Sequence, residues 1–279
     1  MNKIRVFKSD EGRDKIRAYY NQILSFFPLT QRYVDTSFGK TFVLEAGSDK
    51  NPAVILLHGS CGNSAAWLGD IPVLAEKFHV FAVDIIGEAG NSEENRPDIH
   101  SHAYSLWLNE LLDVLEIDKA AIMGNSLGGW MALHFAAAYP ERTASLVLIA
   151  ASGIAPVKTT FIKNTEDFIS TGGQNTAPLL DDVLGDAVPK EVREFMALIM
   201  ENFNPITGEL PVLTDEQMRA LKMPVLLIAG TNDFTMDAAK AAERLSSLVP
   251  HAKVKLIQNG SHVIFGVMDS VMAFLSEGM

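Results

Sequence analysis

Short apolar runs separated by stretches of helical periodicity dominate the middle of this chain. The runs A-V-I-L-L (53–57), H-V-F-A-V-D (79–84), A-A-I-M-G (120–124), A-S-L-V-L-I-A (144–150), P-V-L-L-I-A (224–229) and K-V-K-L-I (253–257) lack the in/out alternation of a half-exposed strand. They predict strands buried on both faces of a parallel sheet. Between them, apolar positions recur at three and four over 65–78, 103–115, 127–139 and 238–248, the spacing of crossover helices. The fold class is therefore α/β, with a mostly parallel central sheet flanked by helices. Ahead of this pattern, residues 17–27 read as an amphipathic packing helix stopped by Pro28. Residues 33–36 and 41–45 then alternate around F-G-K like an antiparallel hairpin at a sheet edge.

The interval from Gly153 to Lys222 breaks the alternation. It is too long for a connecting loop and is studded with Pro156, Gly172, Gly173, Pro178, Pro189, Pro205, Gly208 and Pro211. Residues 161–169 and 192–203 within it read as helices. The division expected is a core of residues 1–152 and 223–279, carrying a helical cap of residues 153–222 over the carboxyl ends of the strands, where open α/β sheets bind ligands. Phe161, Ile162, Phe168, Phe203 and several methionines of the cap suit either an apolar pocket or packing onto the core, with packing expected for most.

Composition narrows the partners. A chain of 279 residues with 48% hydrophobic and 20% charged residues has enough apolar material for one sizeable core. A formal net charge of -11 argues against nucleic acid, which calls for clustered Lys and Arg. The single cysteine, Cys61, allows no intrachain disulfide and no Cys-rich zinc motif. The amino terminus has no apolar core of signal-peptide type, and the most apolar stretch, 144–155, is too short to span a bilayer and contains Ser152 and Gly153. The expectation is a cytoplasmic protein with no membrane partner; oligomeric state is not legible.

The chemistry centres on K-A-A-I-M-G-N-S-L-G-G-W (119–130), which places Ser126 between a strand and a helix in the pattern Gly124-x-Ser126-x-Gly128. That context predicts a nucleophile on a sharp strand-to-helix turn, with small neighbours letting chains pass closely. A phosphate loop would show Lys-Ser/Thr after its glycines, which this motif lacks. A serine hydroxyl needs a base, and the base needs an orienting acid. His262, in Q-N-G-S-H-V after the last strand, is the base expected; Asp233, in A-G-T-N-D-F-T after the preceding strand, is the acid, with Asp237 the runner-up. Bland readings suit His79, which begins a strand, His134 inside a helix, and His251 on a surface loop. His100, His102 and Asp98 are read as solvent-facing rather than as a metal site, and His58 as bracing its loop. Two N–H donors must hold the tetrahedral oxyanion: Leu127, and one from H-G-S-C-G-N, with Ser60 preferred and Cys61 the alternative. Gly59 and Cys61 are expected beside the substrate. No metal and no cofactor is called for.

Taken together, H-G-S-C-G-N, A-V-D-I-I-G, G-N-S-L-G-G, A-G-T-N-D and G-S-H-V, in that order, resemble the α/β-hydrolase superfamily over nearly the whole chain. Y-Y-N-Q-I-L-S-F-F-P-L, F-G-K-T-F-V and L-T-D-E-Q-M-R-A-L-K-M-P-V-L-L-I further resemble bacterial carboxylesterases of the carboxylesterase NP type. The resemblance implies cleavage of a small, apolar carboxylic ester beneath a helical cap. In two places the chain departs from the pattern. D-I-I-G-E-A-G-N-S is one residue longer than the usual D-x-x-G-x-G-x-S, a change expected at the pocket rim, and Ser261 replaces the glycine that commonly precedes the histidine, with no Glu-Pro pair after it. Competing readings are carbon–carbon bond hydrolysis, because Gly-Asn-Ser-Leu-Gly also resembles meta-cleavage product hydrolases, and a hydrolase-like signal sensor.

Overall fold

The computed structural model describes residues 5–170 and 188–277. Within them, eight strands form one sheet in the order β1-β2-β4-β3-β5-β6-β7-β8. The strands are β1 (Thr30–Thr36), β2 (Gly39–Ala46), β3 (Ala53–Leu57), β4 (His79–Val83), β5 (Ala120–Asn125), β6 (Thr143–Ile149), β7 (Val225–Gly230) and β8 (Lys253–Ile257). The hairpin β1/β2 is antiparallel and joins β4 antiparallel, with Val43 opposite Val83. All strands from β4 onward run parallel. This is the mostly parallel sheet that the apolar runs predicted, with the antiparallel edge expected from the alternation around F-G-K.

The chain moves outward from β3 to β4, then crosses back to place β5 on the other side of β3. The carboxyl ends of β3 and β5 therefore flank the reversal in strand order, where the loops diverge and leave a crevice. Alternation along each strand feeds two cores. Ile55 and Leu57 face one, with α3 (Ala103–Val114) and α4 (Leu127–Ala138); Val54 and Leu56 face the other, with α1 (Asp10–Leu24).

Several elements differ from the sequence expectation. α1 begins at Asp10 because the Ser9 hydroxyl accepts the Gly12 N–H at 2.9 Å, and it ends at Leu24 rather than Phe27; Pro28 disfavours helical geometry at the residue before it. The helix expected over 65–78 is broken into a 3-10 turn, Ser64–Trp67, and a short α2, Ile71–Ala75. Pro72 sits in the first turn of α2, where a missing N–H is harmless, and would clash inside a longer helix. A terminal helix, α9 (Met268–Ser276), was not anticipated.

Between β6 and β7 lie α5 (Thr159–Ser170), α6 (Lys190–Asn202) and α7 (Asp215–Arg219). Gly172, Gly173 and Pro178, and the side chain of Phe168, lie outside the described residues. α6 is tied down by the amino-terminal segment: Lys8 N–H donates to Asn202 O at 2.8 Å and Asn204 N–H to Val6 O at 2.9 Å. Phe203 is fully buried edge-on against Phe7, with ring centroids 5.9 Å apart, and so belongs to packing. Tyr19 stacks on Phe195 of α6, which gives α1 its packing role. The helices between β7 and the carboxyl terminus are α8 (Ala238–Leu248) and α9. Among the described residues no helix is long and apolar enough to cross a membrane.

Because Phe203 joins two segments remote in sequence, Phe203→Ala is expected to cost about 3–5 kcal/mol, read as a lowered denaturant midpoint; a loss below about 1 kcal/mol would show that the aromatic pair does not hold α6 in place.

Candidate active site

Ser126 is the only residue between β5 and α4, and it sits at φ 52°, ψ -111°. A non-glycine residue in such a conformation is strained and persists only where its surroundings impose it. Here they do: the Ser126 N–H donates to Ile149 O at 3.0 Å and its carbonyl accepts the Trp130 N–H at 2.9 Å. The flanking glycines are required by contact. A Cβ on Gly128 would stand 2.2 Å from Leu57 O, and one on Gly124 would stand 2.2 Å from Gly128 O. Hence the first turn of α4 lies directly against the end of β3, and Leu127, as the first helical residue, has no preceding turn to accept its N–H.

Two further strand ends converge on the same hydroxyl. His262, buried after β8, places Nε2 3.0 Å from Ser126 Oγ and Nδ1 2.8 Å from Oδ2 of Asp233, which follows β7. Asp233 is fully buried. Burial alone would raise its pKa, but hydrogen bonds with His262 and Thr235 outweigh it and hold the carboxyl below the usual range. Oδ1 accepts the Thr235 N–H at 2.7 Å, the Thr235 hydroxyl at 2.8 Å and the Met236 N–H at 3.2 Å, which leaves Oδ2 to the imidazole. Asp237, the runner-up, instead caps α8 by accepting the Lys240 N–H at 3.1 Å.

The loop after β3 faces this group. A Cβ on Gly59 would lie 3.4 Å from Ser126 Cβ. His58 is completely buried and braces the loop, as expected: the Ile85 N–H donates to its Nε2 at 3.0 Å, so the proton must sit on Nδ1, which donates to Gly59 O at 2.8 Å. Burial pushes the His58 pKa down, keeping the ring neutral. Cys61 adopts φ 56° and gives its N–H to Oε2 of Glu88 at 3.0 Å. Burial and the nearby Glu88 carboxyl raise the Cys61 thiol to about 12, so it is no nucleophile at neutral pH. Glu88 belongs to the lengthened D-I-I-G-E-A-G-N-S loop. That loop does not simply edge a rim: Glu88 is buried, and burial pushes its carboxyl up to about 7 against the lowering pull of Arg96 and the Cys61 N–H.

The remaining histidines take structural positions. His79 meets Glu45 at 2.8 Å, His134 meets Pro211 O at 3.1 Å, and His251 meets Met223 O at 3.0 Å. His100 and His102 are exposed, and Asp98 closes its own turn on the His100 N–H at 2.9 Å. Among the described residues no group of three or more His, Cys, Asp or Glu side chains is disposed to hold a metal.

Comparison with known proteins gives the family of this chain. A family model of the α/β hydrolase fold matches residues 52–172. An uncharacterized carboxylesterase, nap, of Bacillus subtilis is 33% identical over 270 residues, which span 92% of this chain and 88% of the relative. The chain belongs to the α/β-hydrolase family. It is of the carboxylesterase type, and its fold agrees with two solved carboxylesterases of Bacillus subtilis. CesB (YbfK) superposes with a TM-score of 0.85 at 28% identity, covering 96% of this chain and all of that one. Naproxen esterase (carboxylesterase NP) superposes with a TM-score of 0.83 at 29% identity, covering 96% and 99%.

Two members of this hydrolase's site escaped the sequence reading. Thr235 had a signal: it stands two residues after Asp233, the spacing at which an aspartate side chain folds back on its own backbone. Glu88 had none beyond the lengthened loop, because nothing in D-I-I-G-E-A-G-N-S distinguishes a buried glutamate from a solvated one.

Adding a methyl group where the carbonyls of Leu57 and His58 lie should be intolerable, so Gly128→Ala is expected to cost about 3 kcal/mol or more and to depress the melting temperature; wild-type stability in that variant would refute the close approach. Glu88 also makes stability depend on pH. Its folded pKa of about 7 lies above the ordinary 4.5, so between those values the folded chain keeps a proton that the unfolded chain has released. Stability from this group therefore falls as pH rises through that window. Denaturant unfolding at pH 5 and pH 8 should show a smaller pH difference in Glu88→Gln than in wild type; an identical difference would place the ionisation elsewhere.

Proposed function

We propose that this α/β hydrolase cleaves small, apolar carboxylic esters through an acyl-enzyme on Ser126. The observation that carries the reading is the continuous chain from Ser126 Oγ to His262 Nε2 at 3.0 Å and from His262 Nδ1 to Asp233 Oδ2 at 2.8 Å. The carboxylate holds the proton on Nδ1 and leaves Nε2 free as a base. As Oγ attacks the ester carbonyl, Nε2 takes the hydroxyl proton and the carbonyl π electrons move onto oxygen. The oxyanion is received by the N–H groups of Leu127 and Ser60. Ser60 is favoured over Cys61 because the Cys61 N–H is already given to Glu88. Collapse of the intermediate expels the alcohol, which receives the proton from the imidazolium. Water then repeats the sequence on the acyl-enzyme and releases the acid.

The cap reading of residues 153–222 fits this chemistry. Val188, Met196, Ala197 and Met200, on and just ahead of α6, form an apolar cluster with Cys61 and with Val263, the neighbour of His262. An apolar substituent entering beside Gly59 and Cys61 would meet these side chains. Kinship with carboxylesterases and the apolar cluster around Cys61 favour an ester over a charged diketo acid. Metal and cofactor have no part in the proposed steps.

Initial-burst and steady-state assays with p-nitrophenyl acetate, butyrate and octanoate test the reading. Ser126→Ala should abolish both phases with an unchanged melting temperature, and Asp233→Asn should lower kcat by about 10⁴-fold by favouring the wrong imidazole tautomer. Turnover that persists in folded Ser126→Ala would defeat the assignment.

A further inference from the structure

Glu88 is a buried carboxyl that the proposed steps do not use, and its cost calls for an explanation. Its Oε1 is buried with no hydrogen-bond partner among the described residues, while Oε2 has the Cys61 N–H. Arg96 lends its charge but gives hydrogen bonds to the carbonyls of Gly87 and Asn204. A carboxyl so poorly supplied with donors is a liability to folding, and an apolar side chain of similar size would be cheaper there. The contrast with Asp84, four residues earlier, is instructive. Asp84 is equally buried, yet it accepts the Tyr20 hydroxyl at 3.0 Å and the N–H groups of Ser64 and Asn91 at 2.8 Å each. Asp84 is met by donors from its own loop, from α1 and from the turn at Ser64, whereas Glu88 reaches out of that loop to a single N–H on another.

What it holds is the peptide on the carboxyl side of Ser60. A trans peptide is planar, with its C=O and N–H pointing in opposite directions, and the chain contains no cis bond among the described residues. The Gly59–Ser60 peptide is gripped by its carbonyl, through His58 Nδ1 at 2.8 Å, and this turns the Ser60 N–H the other way. The next peptide, Ser60–Cys61, is gripped by its N–H, through Glu88 at 3.0 Å. With both planes fixed, so are the backbone torsions at Ser60 between them. The second grip also sustains Cys61 at φ 56°, which a side-chain-bearing residue adopts only at a cost. Glu88 is itself set by local bonds: its N–H donates to Ile85 O at 3.1 Å and its carbonyl accepts the Gly90 N–H at 2.9 Å.

We propose that Glu88 is a positioning residue for oxyanion stabilisation, acting through the Cys61 N–H to hold the Ser60 N–H in line with the attacked carbonyl. The proposal rests on the Ser126 reading above. It assigns Glu88 no contact with substrate; what matters is an acceptor oxygen at the right reach, not the negative charge. An oxyanion donor is sensitive to such displacement, since losing one costs about 10²–10³-fold in kcat.

Two variants separate reach from charge. Glu88→Asp keeps the charge and withdraws the acceptor by one methylene; Glu88→Gln removes the charge and keeps an acceptor at full reach. With p-nitrophenyl butyrate and the folded fraction set by active-site titration, Glu88→Asp should lose about tenfold to a hundredfold in kcat with KM within twofold of wild type. Glu88→Gln should stay within about threefold of wild-type kcat. The affinity of a trifluoromethyl ketone, which forms the tetrahedral oxyanion on a serine, should fall in parallel with kcat in Glu88→Asp and survive in Glu88→Gln. A merely structural role would lower melting temperatures while leaving kcat per titrated site untouched in both variants, and that result overturns the proposal. So does the reverse order, with Asp active and Gln impaired, which would make charge the operative property. Ser126→Ala is assayed alongside: turnover that survives it sinks the serine reading and this proposal together, whereas turnover lost there but unaffected by Glu88→Asp sinks this proposal alone.

Discussion

The constraint on which the candidate site depends is the contact between the first turn of α4 and the carboxyl ends of β3 and β5. Leu57 O lies where any side chain on Gly128 would begin, and Gly128 O lies where any side chain on Gly124 would begin. From this one approach follow the turn at Ser126 with no spare residue, its positive φ, and the nearness of Gly59 to the serine. A second close contact repeats the device across the crevice: a Cβ on Gly230 would stand 2.2 Å from Gly260 O, so the loops carrying Asp233 and His262 are pressed together. The site is thus assembled from four strand ends whose spacing the sheet sets and whose side chains the glycine contacts bring within hydrogen-bond reach. Little is left for the loops themselves to determine, and this is how a reactive geometry can tolerate the strain at Ser126.

The distribution of buried polar groups follows the same logic. Both faces of the sheet are covered by apolar side chains, whereas His58, Asp84, Glu88, Asp233 and His262 gather at the carboxyl end of the strands. Each group is neutral, or is charged with donors to meet it, in a pattern that fixes direction. The Ile85 N–H forces the His58 tautomer, and the three donors on Asp233 Oδ1 leave Oδ2 to His262. Buried hydrogen bonds of this kind contribute modestly to stability but are expensive to leave unmade, so they specify orientation more effectively than surface contacts can. Glu88 is the exception, with one oxygen unmet.

The sheet and its order of elements were legible because burial on both faces leaves an unmistakable pattern: an uninterrupted apolar run can lie almost nowhere else in a chain this size. Ser126 was legible because its glycines answer a steric need that sequence displays directly. His262 and Asp233 were legible only as residues at strand ends; that they meet Ser126 Oγ and each other is a fact of three dimensions. The break between Ser64–Trp67 and Ile71–Ala75 could have been read from Pro72, where apolar spacing concealed a backbone limit. Glu88 could not, because its burial depends on a loop folded around Asp84 through contacts with Tyr20 and Ser64, from segments distant in sequence.

Cys61 joins these two kinds of order. Its side chain belongs to the apolar cluster with Met196, Met200 and Val263, while its amide belongs to the polar layer through Glu88. α6, which supplies the methionines, is in turn held by the amino-terminal segment through Val6, Lys8 and the Phe7–Phe203 contact. In the proposed reaction, a substrate's apolar group pressing on the side-chain face of Cys61 would therefore bear on the same short turn whose amide is bonded to Glu88. Loosening either support has a different consequence. Under the proposed mechanism, loss of the methionine contacts would weaken ground-state and transition-state binding alike, whereas loss of the amide contact would disturb only the group proposed to meet negative charge as it develops. On that proposal, substrate binding and the placing of the Ser60 N–H both depend on Cys61 but respond to separate substitutions, because side chain and amide leave the Cys61 backbone in different directions.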